Sequence, residues 1–308
     1  MRLAHVVVLT TTLLVATPCV GMAATLPPAP LAASSFQVGT LHVDTYGTGG
    51  EPIVLLPELA CGTWEWYGLI PHLAATHTVY AVTPAGFAGQ PPQGTPSVAG
   101  FVRDLNAVLD RAHVEKAVLI GHSLGGTLAL AFAEQHPTRV RGVVAVDALP
   151  IFPDTDDLTP AQRKEAAGRS ASTLRLQTPA QLVEYETGFM SAQGVTDPAL
   201  ATAMAALAAQ SDATTAADWI AADLEVDLRP RLGAITAPIE EIVPYDPSEA
   251  NPQVAVHYTE PEKAAAYKAL FAHARKLTVV SIAPAKHFVM LDQPDRFLAA
   301  VDAFLTTL

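Results

Sequence analysis

The sequence predicts an α/β protein, a mostly parallel central sheet flanked by helices, with an inserted all-helical cap. Two patterns carry this expectation. Short apolar runs at Pro52–Leu56, 78–83, 116–120 and Val140–Val146 alternate with helical segments. Continuous apolar runs of this kind mark parallel strands buried on both faces. From 150 to about 229 the alternation gives way to Ala-rich helical sequence with no good strand, and it resumes at 235–244.

In chain order, Arg2, the apolar stretch 6–15 and the small residues Gly21, Ala23 and Ala24 have the three-part layout of a secretory signal peptide. We expect residues 1–24 to be removed, with a cut after Ala23 or Ala24 (or later, near Ala33), and the protein to be exported to the periplasm or beyond. Cys19 would leave with that segment, so Cys61 would be the sole cysteine, expected as a buried thiol. The Pro/Ala/Ser-rich stretch 25–35 reads as a flexible leader. The core is expected over 36–149 and 230–308, and the cap over 150–229. Within the core, strands are expected at 36–46 and Pro52–Leu56, a helix at 66–75, a strand at 78–83 and an amphipathic helix at 98–112. A strand at 116–120, a helix over Leu124–Gln135 and a strand over Val140–Val146 follow. Thr159 and Pro160 are placed to start a cap helix, and 199–209 and 216–224 are the clearest cap segments. After the cap come a helix at 261–273, a strand over Leu277–Ile282 and a terminal helix over Pro294–Leu305.

Composition narrows the function. Lys plus Arg is 18 against 30 for Asp plus Glu, a net charge of -12 over 308 residues, too few cations for a nucleic-acid surface. Two cysteines exclude a disulfide framework. No GxGxxG opens a helix after the first strand, and no GxxxxGK precedes a serine or threonine, so nucleotide binding is not expected. No stable membrane partner is expected after signal removal.

The sharpest motif is Gly121-His122-Ser123-Leu124-Gly125, a GxSxG sequence with a strand immediately before it and an apolar helix immediately after. Such a turn lifts the serine hydroxyl clear of the sheet edge and sets the following amides at a helix N-terminus, where they favour a developing oxyanion. Ser123 is the expected nucleophile, and His122 is expected to line the pocket. A serine needs an imidazole to take its proton and a carboxylate to orient that imidazole. His287, between the last strand and the terminal helix, is the expected base. Asp246, after the strand at 235–244, is the preferred acid, and Asp147, after Val140–Val146, is the alternative. Glu240 and Glu241 lie inside an otherwise apolar strand, where one must face a sheet surface.

These residues resemble the α/β-hydrolase superfamily over 36–308. GHSLGG, VYAVTPAGFAGQPP and APAKHFVMLDQPDRFLAAVDAFL carry the resemblance. It implies a triad of Ser123, Asp246 and His287, with oxyanion donors at the Leu59 and Leu124 amides. One departure stands out: Pro57 and Glu58 occupy the place of the His-Gly that usually precedes the first donor. An inward Glu58 would oppose charge on an oxyanion, or bind a cationic substrate part, or position water. An outward one would be harmless.

The expected activity is a carboxylesterase-like serine hydrolase acting on a small-molecule carboxylic ester or lactone, with no metal or organic cofactor required. Amide, carbon–carbon or perhydrolase chemistry with the same triad is the alternative, and so is a catalytically silent binding protein on the same scaffold. Glu58, His122, Phe189, Met190, Trp219 and Phe288 are candidate pocket residues, with Leu207, Trp64 and Trp66 near them.

Overall fold

The computed structural model describes residues 25–250 and 257–308. The expected signal segment 1–24 lies outside the described residues. Among the described residues, no helix is long and apolar enough to cross a membrane.

The chain runs β1 (Ser34–Val38), β2 (Leu41–Tyr46), β3 (Pro52–Leu56), a short turn of helix at Thr63–Trp66, α1 (Ile70–Ala74), β4 (Thr78–Pro84), α2 (Val98–Arg111), β5 (Ala117–His122), α3 (Leu124–Gln135) and β6 (Val140–Val146). The inserted cap follows with α4 (Pro160–Arg175), α5 (Pro179–Phe189), a wide turn at Met190–Gly194, α6 (Pro198–Ala208) and α7 (Ala213–Glu225). The core resumes at β7 (Ile239–Pro244), α8 (Glu260–Leu270), β8 (Leu277–Ile282), α9 (Val289–Asp292) and α10 (Pro294–Leu305). The eight strands form one sheet in the order β1-β2-β4-β3-β5-β6-β7-β8. β3 to β8 are mutually parallel, and β1 and β2 are antiparallel at one edge.

The expected strand at 36–46 is a hairpin. Val38 pairs with Leu41 across Gly39-Thr40, and Gly39 adopts a φ of +54°. Asp104 of α2 clamps this turn by accepting hydrogen bonds from the Thr40 amide and hydroxyl, each at 2.9 Å. Ser34 and Ser35, assigned to the leader, instead pair with Thr45 and Asp44 as part of β1. The expected helix at 66–75 is reduced to Ile70–Ala74, and the strand expected from 235 begins only after Pro238.

β3 and β5 are buried on both faces, as their unbroken apolar sequences require. The helices form two layers. One, including Phe101, Leu105, Leu109 and Phe132, packs against one face of the sheet. The other, including Trp66, Phe288, Phe297 and Val301, packs against the opposite face. Cap helices α4 and α5 start on capping boxes: the Thr159 and Thr178 hydroxyls accept from the amides of Gln162 and Gln181, whose side chains reach back.

Candidate active site

The turn from β5 into α3 holds Ser123 in a strained conformation. Ser123 sits at φ 51°, ψ -119°, a region a non-glycine residue enters only when its surroundings force it. Its amide donates to the Val146 carbonyl at 2.9 Å, tying the turn to the end of β6. Two glycines make room for it. A Cβ on Gly121 would lie 2.3 Å from the Gly125 carbonyl oxygen, and one on Gly125 would lie 2.2 Å from the Leu56 carbonyl oxygen. Ser123 stays partly exposed while His122 and Leu124 on either side are buried. Leu124 opens α3, where the first amides have no helical acceptor. Leu59 follows Glu58 on the loop after β3 and is partly buried.

His287 lies on the loop between β8 and α9. Its amide donates to the Gln193 carbonyl at 3.0 Å, and the Phe288 amide donates to Gly194 at 2.9 Å. The wide turn of the cap therefore pins the histidine loop. The His287 ring lies between two carboxylates: Nδ1 is 2.5 Å from Asp147 Oδ2, and Nε2 is 3.2 Å from Glu58 Oε1. Two carboxyl groups flanking one ring favour its charged, doubly protonated form. Burial opposes that charge, but the Glu58 charge and the Asp147 hydrogen bond outweigh it and raise the His287 pKa to about 10. For Asp147, burial pushes the other way, and the bond from His287 holds its carboxyl well below the usual range. Tyr267 of α8 completes the arrangement by donating its hydroxyl to Asp147 Oδ1 at 2.5 Å.

The carboxylate at His287 Nδ1 is Asp147, whereas Asp246, the preferred acid in the sequence, does not contact the ring. Asp147 ends β6, the strand beside the nucleophile strand, and its φ of +43° turns the chain at the sheet rim. Asp246 spends its carboxylate locally: Oδ1 accepts from the Ser248 amide at 2.9 Å and from the Ser248 hydroxyl, capping the turn at Pro247–Ala250. Asp-Pro-Ser is an Asx-turn sequence. Glu241 is fully buried; its Oε1 accepts from the Ala148 amide at 3.1 Å, and burial raises its carboxyl well above the usual range. Burial also lifts Glu240, to about 7.

Glu58 points inward. Besides His287, it approaches Cys61, with Sγ 3.9 Å from Oε2, and its own amide donates to Glu65 Oε2 at 3.2 Å. The Cys61 thiol is buried and is pushed well up by burial and then by the Glu58 and Glu65 charges, so it is a poor nucleophile. His122 is fully buried, and its Nε2 donates to the His287 carbonyl at 3.1 Å. Burial and the neighbouring His287 charge lower its pKa to about 3, which keeps it neutral. Its bare Nδ1 faces Glu65 Oε1 at 3.5 Å. Glu65, which the sequence did not single out, has its carboxyl pushed well up by burial and by the charge of Glu58.

The remaining expected pocket residues divide. Phe189 stands edge-on to the His287 ring with centroids 5.9 Å apart, and Phe288 packs on His122 at 4.7 Å. Trp64 stacks on Phe288 at 6.3 Å, and Trp66 lies edge-on to His122 at 6.5 Å. Met190 is buried in the second core layer, with Leu207 against it. Trp219 is wedged between Phe87 and Phe101 at 6.5 and 6.0 Å, so it belongs to the packing between cap and core. Glu58, His122 and His287 bring one carboxylate and two imidazoles within 4.8 Å of one another, a donor set of the kind that holds a divalent ion. Filling it would occupy His287 Nε2, the atom a base needs.

Residues 51–294 match the family model described as alpha/beta hydrolase fold. The chain is 30% identical over 131 residues to a pimeloyl-(acyl-carrier protein) methyl ester esterase of Aeromonas hydrophila, covering 42% of this chain and 50% of that protein. It is 34% identical over 127 residues to a 2-hydroxy-6-oxo-2,4-heptadienoate hydrolase of Pseudomonas putida, covering 39% and 46%. The chain thus spans about half the length of these curated relatives. Among solved structures, a thermophilic esterase from Thermogutta terrifontis aligns with a TM-score of 0.70 at 21% identity, over 89% of this chain and 99% of that one. An enol-lactonase from Burkholderia xenovorans aligns with a TM-score of 0.70 at 19% identity, over 89% and 100%. With the elbow, the parallel sheet and the helical insertion in place, the chain belongs to the α/β-hydrolase fold family.

Proposed function

We propose that the protein is an exported serine hydrolase that cleaves a small carboxylic ester or lactone through an acyl-enzyme, with Ser123 as nucleophile, His287 as base and Asp147 as its orienting acid. The observation that carries this reading is the strained Ser123 elbow beside the Asp147–His287 pair. Its neighbour His122 donates a hydrogen bond to the His287 carbonyl, so nucleophile and base share one rim of the sheet. The relatives with esterase and lactonase names are consistent with it.

In this mechanism His287 first loses its Nε2 proton to bulk water, which leaves the ring neutral beside Glu58. Nε2 then takes the proton of Ser123 Oγ as Oγ bonds to the carbonyl carbon. The Leu124 and Leu59 amides hold the oxyanion. Collapse breaks the bond to the leaving oxygen, which receives the proton from His287. Water then attacks the acyl group in the same manner, freeing the acid and restoring Ser123. Asp147 keeps the ring oriented and offsets its charge, and Tyr267 fixes Asp147.

A panel of short-chain aryl esters and lactones tests the proposal. Cleavage that is abolished in S123A and H287A, and reduced far more by D147N than by D246N, is the expected result. Full ester-cleaving rate in S123A would reject it. The contact of Glu58 with Nε2 also favours a second reading, a silent binding protein, for which folded wild-type protein would cleave no member of the panel.

A further inference from the structure

We propose that Glu65 is a positioning residue of this site. Its carboxylic acid group donates to His122 Nδ1 through one oxygen and accepts from the Glu58 amide through the other, and so sets the His122 tautomer that holds the His287 loop. The proposal rests on the serine-hydrolase reading and names a residue that aligns its base.

Three parts of the site meet through two buried side chains. Glu65 sits in the short helical turn at Thr63–Trp66 and is 1% exposed. Its Oε2 accepts from the Glu58 amide at 3.2 Å, one residue before the Leu59 amide expected at the oxyanion. Its Oε1 lies 3.5 Å from His122 Nδ1. His122 is fully buried and directly precedes Ser123, and its Nε2 lies 3.1 Å from the His287 carbonyl oxygen. A continuous path therefore runs from the oxyanion loop, through the residue beside the nucleophile, to the loop that carries the base.

The proton count of the pair is set by its partners. A carbonyl oxygen only accepts, so His122 Nε2 carries a hydrogen. In the neutral ring Nδ1 is then a bare acceptor, and a carboxylate across from it would be another. Among the described residues neither Nδ1 nor Glu65 Oε1 has a further hydrogen-bond partner. Two buried acceptors facing each other are costly, and one proton between them satisfies both. Their separation is at the outer limit of a hydrogen bond. A proton on Oε1 leaves a neutral acid beside a neutral imidazole, whereas a proton on Nδ1 makes a buried ion pair. The surroundings favour the first. Trp66 and Phe288 pack on the His122 ring with centroids 6.5 and 4.7 Å away, and the His287 ring lies 4.4 Å away. Burial and the His287 charge lower the His122 pKa to about 3, and burial and then the Glu58 charge raise the Glu65 carboxyl well above its usual range. Cys61 on the loop after β3 and Asp147 at the end of β6 also face the pair.

With a donor on Nδ1, the His122 ring cannot move its hydrogen there from Nε2. The other tautomer would set a bare Nε2 against the His287 carbonyl, lone pair against lone pair, and release the base loop. Glu65 thus acts on His287 through His122 and touches no reacting atom.

Glutamine reproduces the pattern, because its amide also donates at one end and accepts at the other, whereas methionine has similar length and does neither. For a neutral aryl ester, E65Q should keep kcat within about threefold of wild type. E65M should lower kcat about tenfold or more with KM within about twofold, as expected when a residue that does not touch substrate is lost. Nitrogen-15 NMR of histidine-labelled protein at pH 7, with the His122 signals assigned by their loss in H122Q, reads the tautomer directly. Wild type and E65Q should show a neutral His122 with hydrogen on Nε2 alone, and E65M a mixture of both tautomers. A doubly protonated His122 in wild type, or E65M with wild-type kcat and a single tautomer, would overturn the proposal. The wild-type spectrum decides the bond even where E65M does not fold. In a protein that cleaves esters, a contrary spectrum rejects the role of Glu65 alone; wild type that cleaves no ester rejects the hydrolase reading and the positioning role with it.

Discussion

Replacing Glu58 by glutamine is expected to make the enzyme a better catalyst for neutral esters at neutral pH. In the resting site His287 is protonated, with a pKa of about 10. At pH 7 the neutral base is therefore present in roughly one molecule in a thousand, from the gap of about three units between pH and pKa. Glu58 Oε1 lies 3.2 Å from Nε2. Coulomb's law with an effective dielectric near 20 gives about 5 kcal/mol at that distance, an upper bound. The two side chains are 16% and 8% exposed, so solvent screens part of this interaction. A shift of about 1–2 units is the expected net effect of removing one neighbouring charge. The sign is fixed: a nearby anion stabilises the imidazolium, so its loss lowers the pKa and enlarges the neutral fraction. The assay is the pH dependence of kcat/KM for a neutral aryl ester between about pH 5 and 10.5, which reports groups of the free enzyme. The ascending limb should move acidward by about 1–2 units in E58Q, with kcat/KM at pH 7 rising about 10- to 100-fold. A limb that stays in place, or moves toward higher pH, would refute the reasoning.

Four further outcomes follow from the same geometry. D147N should lower kcat by about 10³–10⁴, as expected when the base loses the acceptor that fixes its tautomer, whereas D246N should stay within about threefold of wild type on the same ester. Y267F removes a hydrogen bond to a charged acceptor, a loss of about 1.5–3 kcal/mol at Asp147, and should lower kcat about tenfold or more while the protein remains folded by circular dichroism. The raised His287 pKa stabilises the fold below about pH 6.5, and that stabilisation is lost as pH rises through about 10; thermal melts should therefore show a larger drop in Tm across this window in wild type than in H287Q. G125A places a Cβ 2.2 Å from the Leu56 carbonyl oxygen, and urea unfolding should show a loss of about 2 kcal/mol or more.

Much of the site is legible in the sequence where the determinants are local. The elbow is one turn, and its glycines, strand and helix are all neighbours of Ser123. His287 is similarly marked by a strand before it and a helix after it. The acid is harder, because two strands end in an aspartate and the choice depends on which one stays free to reach across the rim. Ser248, two residues after Asp246, engages one oxygen of that carboxylate, while Asp147, at a positive φ and held by the hydroxyl of Tyr267, 120 residues away in the chain, is the one that reaches His287. Glu65 carries no motif; its importance comes from burial beside Glu58, whose amide donates to it, a placement that only the packing of the loop after β3 creates. Trp219 was expected near substrate because it lies in the insertion, but a large ring at a cap–core seam gains more by filling space between Phe87 and Phe101 than by facing solvent.

The central claim is that Ser123 is a nucleophile served by His287. Incubating the folded protein with a fluorophosphonate and locating the adduct by peptide mass spectrometry tests it directly. The account predicts one adduct per chain, on Ser123, absent in S123A and formed faster as pH rises. Intact, folded protein that stays unmodified, or an adduct that persists in S123A, would contradict it.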